Sequence, residues 1–232
     1  MKQKLIFAIC VVLAILVNLA GIFYENFWLR KVGEMFFFLP LIGYYYKALP
    51  LKNPNLLGFL FSVIIASVLT FAGDIWYLNL ISLGLWLGAY IFLAREAVKH
   101  TEYERGSRFT TFYFVLVVTV YAYLLSLHIL EIERNLGETF DLLLYIIYYL
   151  NILIFAVTAL VYYLNSFSRK AVFFICLALS FIFADVLRDM EIFYFRDLSV
   201  EIVGSLIRFA ALLLSFLFFV TREKKLRLLH LV

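Results

Sequence analysis

Asp74 and Asp185 are the residues of this chain best placed to do chemistry. Each sits inside an apolar run, Leu69-Thr70-Phe71-Ala72-Gly73-Asp74-Ile75-Trp76 and Phe181-Ile182-Phe183-Ala184-Asp185-Val186-Leu187. A carboxylate in hydrocarbon costs about 2.5–3.5 kcal/mol on insertion scales, so it faces a bundle interior, has a partner, or works. Both runs end in a small residue, Asp and a β-branched residue, and the two aspartates lie 111 positions apart (185 − 74) in 232 residues. That spacing suggests a parallel repeat of two four-helix halves, with both carboxylates at one depth in one cavity. Two such groups can divide labour, one protonated as general acid and one ionised as general base, which suits cleavage of an acid-labile bond. The plainer alternative is that each Asp only braces a neighbouring helix. Arg188, three residues after Asp185, offers it a local ion pair.

Other polar residues extend the candidate site. Ser67, Thr70, Asp74 and Tyr77, spaced three, four and three, form one stripe of a third helix, and Asp141, Tyr145, Tyr148, Asn151 and Thr158 share a broad face of a sixth. Asn18, Tyr44 and Tyr90 add further polar groups within apolar runs. Thr70, Tyr77, Tyr90, Tyr148 and Asn151 are therefore expected to contact substrate. Arg208 is expected to hold a phosphate, with two alternatives: keeping an Asp ionised, or snorkelling outward. His128 and Glu131 have the i,i+3 spacing of helical metal ligands but lack a third ligand, so interfacial solvation is the better reading and no metal is expected. No phosphate-cradling Gly loop or nucleophile elbow occurs, and no cofactor is expected.

The elements that carry these residues are membrane spans. Hydrophobic residues make up 66% of the chain and the mean hydropathy is +1.00, more apolar surface than a soluble core absorbs. Hydropathy divides residues 1–232 into one helical domain of eight spans: about Leu5–Tyr24, Val32–Leu49, Leu56–Leu78, Leu80–Ala97, Thr110–Leu130, Thr139–Leu164, Ala171–Leu187 and Val200–Thr221. Pro40 should kink the second, and a tight break near Asn79 should separate the third and fourth. With both termini cytoplasmic, 14 basic residues fall inside and five outside, with Arg208 within a span, as the positive-inside rule requires. Lys2 and Lys4 before an apolar run resemble a signal peptide, but the run continues to Tyr24, so a retained first helix is expected.

The net charge of +4 follows from these inter-span clusters and does not indicate nucleic acid. Cys10 and Cys176, each in an apolar run, read as small packing residues. Gly84-Leu85-Trp86-Leu87-Gly88 is a GxxxG element, which serves a homodimer or close packing within the bundle equally well. Clustered aromatics such as Phe36-Phe37-Phe38 and Tyr44-Tyr45-Tyr46 read as belt or packing residues.

The chain resembles the YhhN-like lysoplasmalogenases, small eight-span membrane proteins. The resemblance is diffuse but covers most of the chain. It rests on Gly73-Asp74 with the hydrophobic residues after it, on Ala184-Asp185 in place of the family's Ser-Asp, on Gly84 to Tyr90, and on Phe36 to Tyr45 around Pro40. The chain departs from the family at Glu34-Met35-Phe36, where Lys-Pro is usual. It departs again at Ala89-Tyr90, where a His is usual, and around Leu206-Ile207-Arg208. The resemblance implies hydrolysis of the vinyl ether bond of a lysophospholipid substrate to a fatty aldehyde and a glycerophospho-alcohol, with Asp74 and Asp185 as the acid–base pair. The expected location is a bacterial inner membrane.

A second class of reading is a non-catalytic lipid-binding bundle or a proton-coupled transporter, in which the aspartates carry protons or recognise cations. A retinal photoreceptor is disfavoured, because no late span carries a mid-membrane Lys and Lys47 sits at the inner end of the second span.

Overall fold

Apolar stretches with no water to bond must satisfy their backbone internally, and the helix is the local way to do so. A computed structural model describes residues 2–71, 75–101, 108–133, 139–166, 168–194 and 197–223. Eight helices occur among these residues: α1 Lys2–Phe23, α2 Phe27–Tyr45, α3 Pro54–Thr70, α4 Trp76–His100, α5 Arg108–Glu133, α6 Thr139–Ser166, α7 Arg169–Phe193 and α8 Leu198–Val220. In five of them (α1, α4, α6, α7 and α8) a segment is long and apolar enough to cross a membrane. Their outward faces carry large apolar side chains, such as Leu5, Ile91, Ile154 and Phe183, which suits a lipid surrounding. The chain is an all-helical protein with the helices of a membrane protein.

The helix ends differ from the hydropathy reading in ways that matter for function. The third helix stops at Thr70 and the fourth starts at Trp76, so the break precedes Asn79. Ser67 and Thr70 lie on α3 but Tyr77 lies in the first turn of α4, so the polar stripe expected on one helix is divided. Asp74 lies outside the described residues. At the other margins the helices run past the apolar stretches: α2 begins at Phe27 rather than Val32, and α7 continues to Phe193 rather than ending at Leu187. Side-chain caps explain where two of them start. The Asn26 Oδ1 accepts from the Leu29 N–H at 3.1 Å and opens α2. Asp197 opens α8 by accepting from the Ser199 backbone N–H at 2.7 Å and from its hydroxyl, bonds that hold its carboxyl below the usual range.

Neighbours along the chain pack in pairs, α1 with α2, α3 with α4 and α7 with α8, while α6 joins α4 to α7 and α5 leans chiefly on α6. The α1–α2 turn is short because Glu25 adopts φ 50° and the Asn26 N–H bonds back to the Gly21 carbonyl at 2.8 Å. The pair then closes over Gly21 and Gly33. A Cβ at Gly21 would stand 2.2 Å from the Arg30 backbone nitrogen, and one at Gly33 would stand 2.5 Å from that of Asn18. By contrast Gly84 meets nothing within 4 Å, so the GxxxG element is not the close-packing point of the bundle. Cys10 and Cys176 are exposed and do not pack inward.

Aromatic rings fill the centre, with Tyr90 stacked on Phe155 at 5.2 Å and Phe174 against Phe218 at 4.8 Å. One end of the bundle is fastened by Glu96, whose carboxylate accepts from the side-chain amides of Asn53 at 2.8 Å and Asn55 at 2.7 Å and faces Lys99, His100 and Lys170.

The glycines give the first prediction. Gly21→Ala is expected to force α1 from α2 and cost about 1–3 kcal/mol, seen as a drop of several degrees in the thermal midpoint in detergent. Gly84→Ala, built into open space, should leave that midpoint unchanged.

Candidate functional site

A long helix can carry charged side chains inside a bundle only where they meet partners, and α7 does this at Asp185, Arg188 and Asp189. Spacings of three and four put the three on one face. Asp185 and Asp189 are buried. The Asp185 Oδ2 accepts from two phenols, Tyr90 of α4 and Tyr148 of α6, each at 2.6 Å. Its Oδ1 faces Arg188 Nη1 at 3.4 Å and Arg208 Nη2, from α8, at 3.9 Å. Asp189 accepts from Arg188 Nε at 3.1 Å through Oδ1 and from the Tyr149 hydroxyl through Oδ2. Arg188 thus joins the two carboxylates, and its guanidinium also lies 5.4 Å from the centre of the Tyr148 ring.

Beside this network is a cavity of about 70 Å³, room for a few water molecules, at the end of the bundle away from Glu96. Its wall is strongly charged: Arg30, Lys31 and Glu34 from α2, Arg188 and Glu191 from α7, and Glu201 and Arg208 from α8, with Thr70 of α3 alongside. Arg30 pairs with Glu201, with Glu191 at 3.4 Å and with Glu34 at 3.7 Å, while Lys31 reaches Glu34 at 3.1 Å. Asn18 positions this corner, donating to the Arg30 carbonyl at 3.0 Å and accepting from the Ser205 hydroxyl at 2.6 Å. Among the described residues Arg208 is the least engaged of the four cations: its nearest acid is 3.9 Å away and its guanidinium lies 5.9 Å from the Trp86 ring centre.

The expected site residues divide accordingly. Asp185, Tyr90, Tyr148 and Arg208 come together, and Arg208 points inward to Asp185 instead of snorkelling. Tyr90 and Tyr148 are fully buried and brace Asp185; neither reaches the cavity wall. Asp185 itself stands behind Arg188 and Arg208. Thr70 lines the cavity, although its hydroxyl donates to the Ser67 carbonyl at 2.9 Å. Asn151 and Tyr77 are elsewhere. The Asn151 amide ties α6 to α4 by donating to the Leu87 carbonyl at 3.1 Å, and Tyr77 is exposed on the first turn of α4. Asp74, the other candidate acid, is outside the described residues. His128 is not merely solvated: its Nε2 lies 2.8 Å from the Tyr149 hydroxyl and 3.8 Å from Asp189 Oδ2. Glu131 accepts from Tyr194 at 2.6 Å. Among the described residues no group of three or more His, Cys, Asp or Glu side chains converges as a metal site would.

Sequence reasoning missed Asp189, Tyr149, Arg30, Glu34, Glu191 and Glu201. A signal existed in the i,i+4 pair Arg30/Glu34 and in the Asp185/Arg188/Asp189 triplet, whose periodicity is helical. The chain matches no family model, no curated protein and no solved structure.

Removing Arg188 should be costly, because two buried carboxylates would lose their common cation. Arg188→Met is expected to lower stability by about 3–5 kcal/mol, measured as loss of monodisperse protein and of thermal midpoint in detergent. Arg208→Met, at a partly exposed position with a longer ion pair, should cost no more than about 1 kcal/mol.

Proposed function

We propose that this chain is a multi-pass membrane hydrolase of ether-linked lysophospholipids, acting as its resemblance to the YhhN-like lysoplasmalogenases implies. The observation that carries the reading is Arg208, a guanidinium that among the described residues meets one acid, at 3.9 Å, on a charged cavity, with the donor-ringed carboxylate of Asp185 behind it. A phosphate is the group such a cation takes. Among the described residues the polar partners of Asp185 are all donors, which suits a carboxylate acting as base and leaves Asp74 as the acid. In that scheme Asp74 gives its proton to the vinyl carbon. Asp185 takes a proton from the water that adds to the oxocarbenium carbon, and the hemiacetal collapses to a fatty aldehyde and a glycerophospho-alcohol. One water is consumed, and no cofactor is needed.

The proposed setting is a bacterial inner membrane crossed eight times, with two four-helix halves and both termini cytoplasmic. The cavity then opens near the outer face. A second reading, lipid binding or proton-coupled transport without hydrolysis, is favoured by one observation: Asp185 is not part of the cavity wall, and all its acceptor positions face protein donors.

Aldehyde release from lysoplasmenyl lipids by membranes holding the protein separates the two. The hydrolase reading expects turnover, a fall of at least about 100-fold in kcat for Asp185→Asn, and a higher KM for Arg208→Met. Absence of aldehyde from the unaltered protein, with lipid binding retained, selects the second reading. Orientation is checked in intact cells with a membrane-impermeant maleimide, after Cys10 and Cys176 are replaced by Ser. Glu25→Cys should react, and Lys52→Cys should react only once the cells are opened.

A further inference from the structure

A second cavity, of about 490 Å³, runs between α5, α6 and α7. Its wall is apolar, with Val117 and Leu124 from α5, Leu153 and Ala156 from α6, and Leu179 and Phe183 from α7. On α5 the lining residues Val117, Tyr121, Leu124 and His128 follow spacings of four, three and four, so one face of the helix lines the groove and His128 marks one end of it. The side chains beside the groove, Leu116, Val120 and Leu127 on α5 and Leu150 and Ile154 on α6, are exposed and apolar. The medium this face suits is hydrocarbon, and the space is suited to a chain drawn from it.

The polar end is more specific. Asp189 is paired with Arg188 and accepts the Tyr149 proton. The Tyr149 oxygen must then accept from His128, which places a hydrogen on Nε2 in the 2.8 Å bond between them. Tyr194 lies parallel to the imidazole, with ring centres 6.2 Å apart. Among the described residues no hydrogen bond involves Nδ1. That atom is the one whose state can follow a ligand: a lone pair in the neutral ring, an N–H in the charged one. An alcohol head can meet either state, because a hydroxyl donates and accepts, but it gains no charge-assisted bond, and an acceptor-only phosphodiester meets only the second. A carboxylic acid satisfies both, since one proton can lie on either the carboxyl or the ring.

We propose that the groove between α5, α6 and α7 binds a long-chain fatty acid, with its alkyl chain along the apolar wall and its carboxyl at His128 Nδ1. This site is separate from the arginine-lined cavity. Helix α7 divides them, presenting Ala184, Leu187 and Arg188 to one and Ile182, Phe183 and Val186 to the other. The proposal depends on the chain being membrane-embedded and not on its being a hydrolase.

The test is photolabelling of the purified full chain in nanodiscs with palmitic acid carrying a mid-chain diazirine, read by peptide mapping. Saturable adducts on α5, α6 and α7 are expected. Unlabelled palmitic acid should displace them at concentrations about tenfold below those needed with methyl palmitate, the worth of one charge-assisted hydrogen bond. His128→Gln should abolish that advantage, and Ala156→Phe, which fills the groove, should cut labelling about tenfold with the polar end intact. Unsaturable adducts spread over the outward helix faces, saturable adducts on other helices, or equal displacement by acid and ester in the unaltered protein would overturn it. No arm requires turnover, so failure of the hydrolase assay leaves this result readable.

Discussion

The Arg188 guanidinium between Asp185 and Asp189 is the interaction on which the rest of the bundle's polar interior depends. Charges in an apolar surrounding are tolerated only as closed sets, and this set recruits a partner from almost every helix around it. Tyr90 comes from α4, His128 from α5, Tyr148 and Tyr149 from α6, and Arg208 from α8. Four helices therefore have their rotation about their own axes fixed by one cation and two acids on a fifth, α7. The aromatic centre could repack in several ways; this network accepts one.

The helical architecture was largely legible in the chain, because eight apolar runs of span-like length leave the backbone few options. The site was half legible. Asp185 and Arg208 stood out as isolated charges in apolar runs, and both proved to lie together. The charged wall of the cavity did not stand out, for a physical reason. Arg30, Arg188 and Glu191 flank apolar runs, Glu34 and Glu201 stand within two residues of a run's first residue, and such margins read as interface. Capping by Asn26 and Asp197 and the continuation of α7 to Phe193 carry the helices past those runs, so residues that hydropathy assigns to water face one another across the bundle end. The misread break between α3 and α4 has a similar origin: Asn79 looked like the polar interruption, while the chain leaves the helix at Phe71, well before it.

The two ends of the bundle use opposite devices. At one, Glu96 is closed in by two neutral amides, two lysines and the His100 imidazole, and the carboxylate serves as a fastening for the segment that leads into α3. At the other, four cations and three acids surround open space, and no single residue satisfies all the rest. Rigid closure suits an anchor. An incompletely paired, wet cluster suits a place where another charged group enters.

The long reach of the Arg30 ion pairs has a consequence for how the protein is made. Its partners Glu191 and Glu201 lie 161 and 171 residues downstream, so Arg30 is made long before either exists. Helices α1 and α2, closed backbone to backbone over Gly21 and Gly33, can pair before α7 and α8 are made, while Glu34, one turn away, shields the early arginine. Folding thus begins with a first neutralisation by Glu34, to which α7 and α8 later add Glu191 and Glu201.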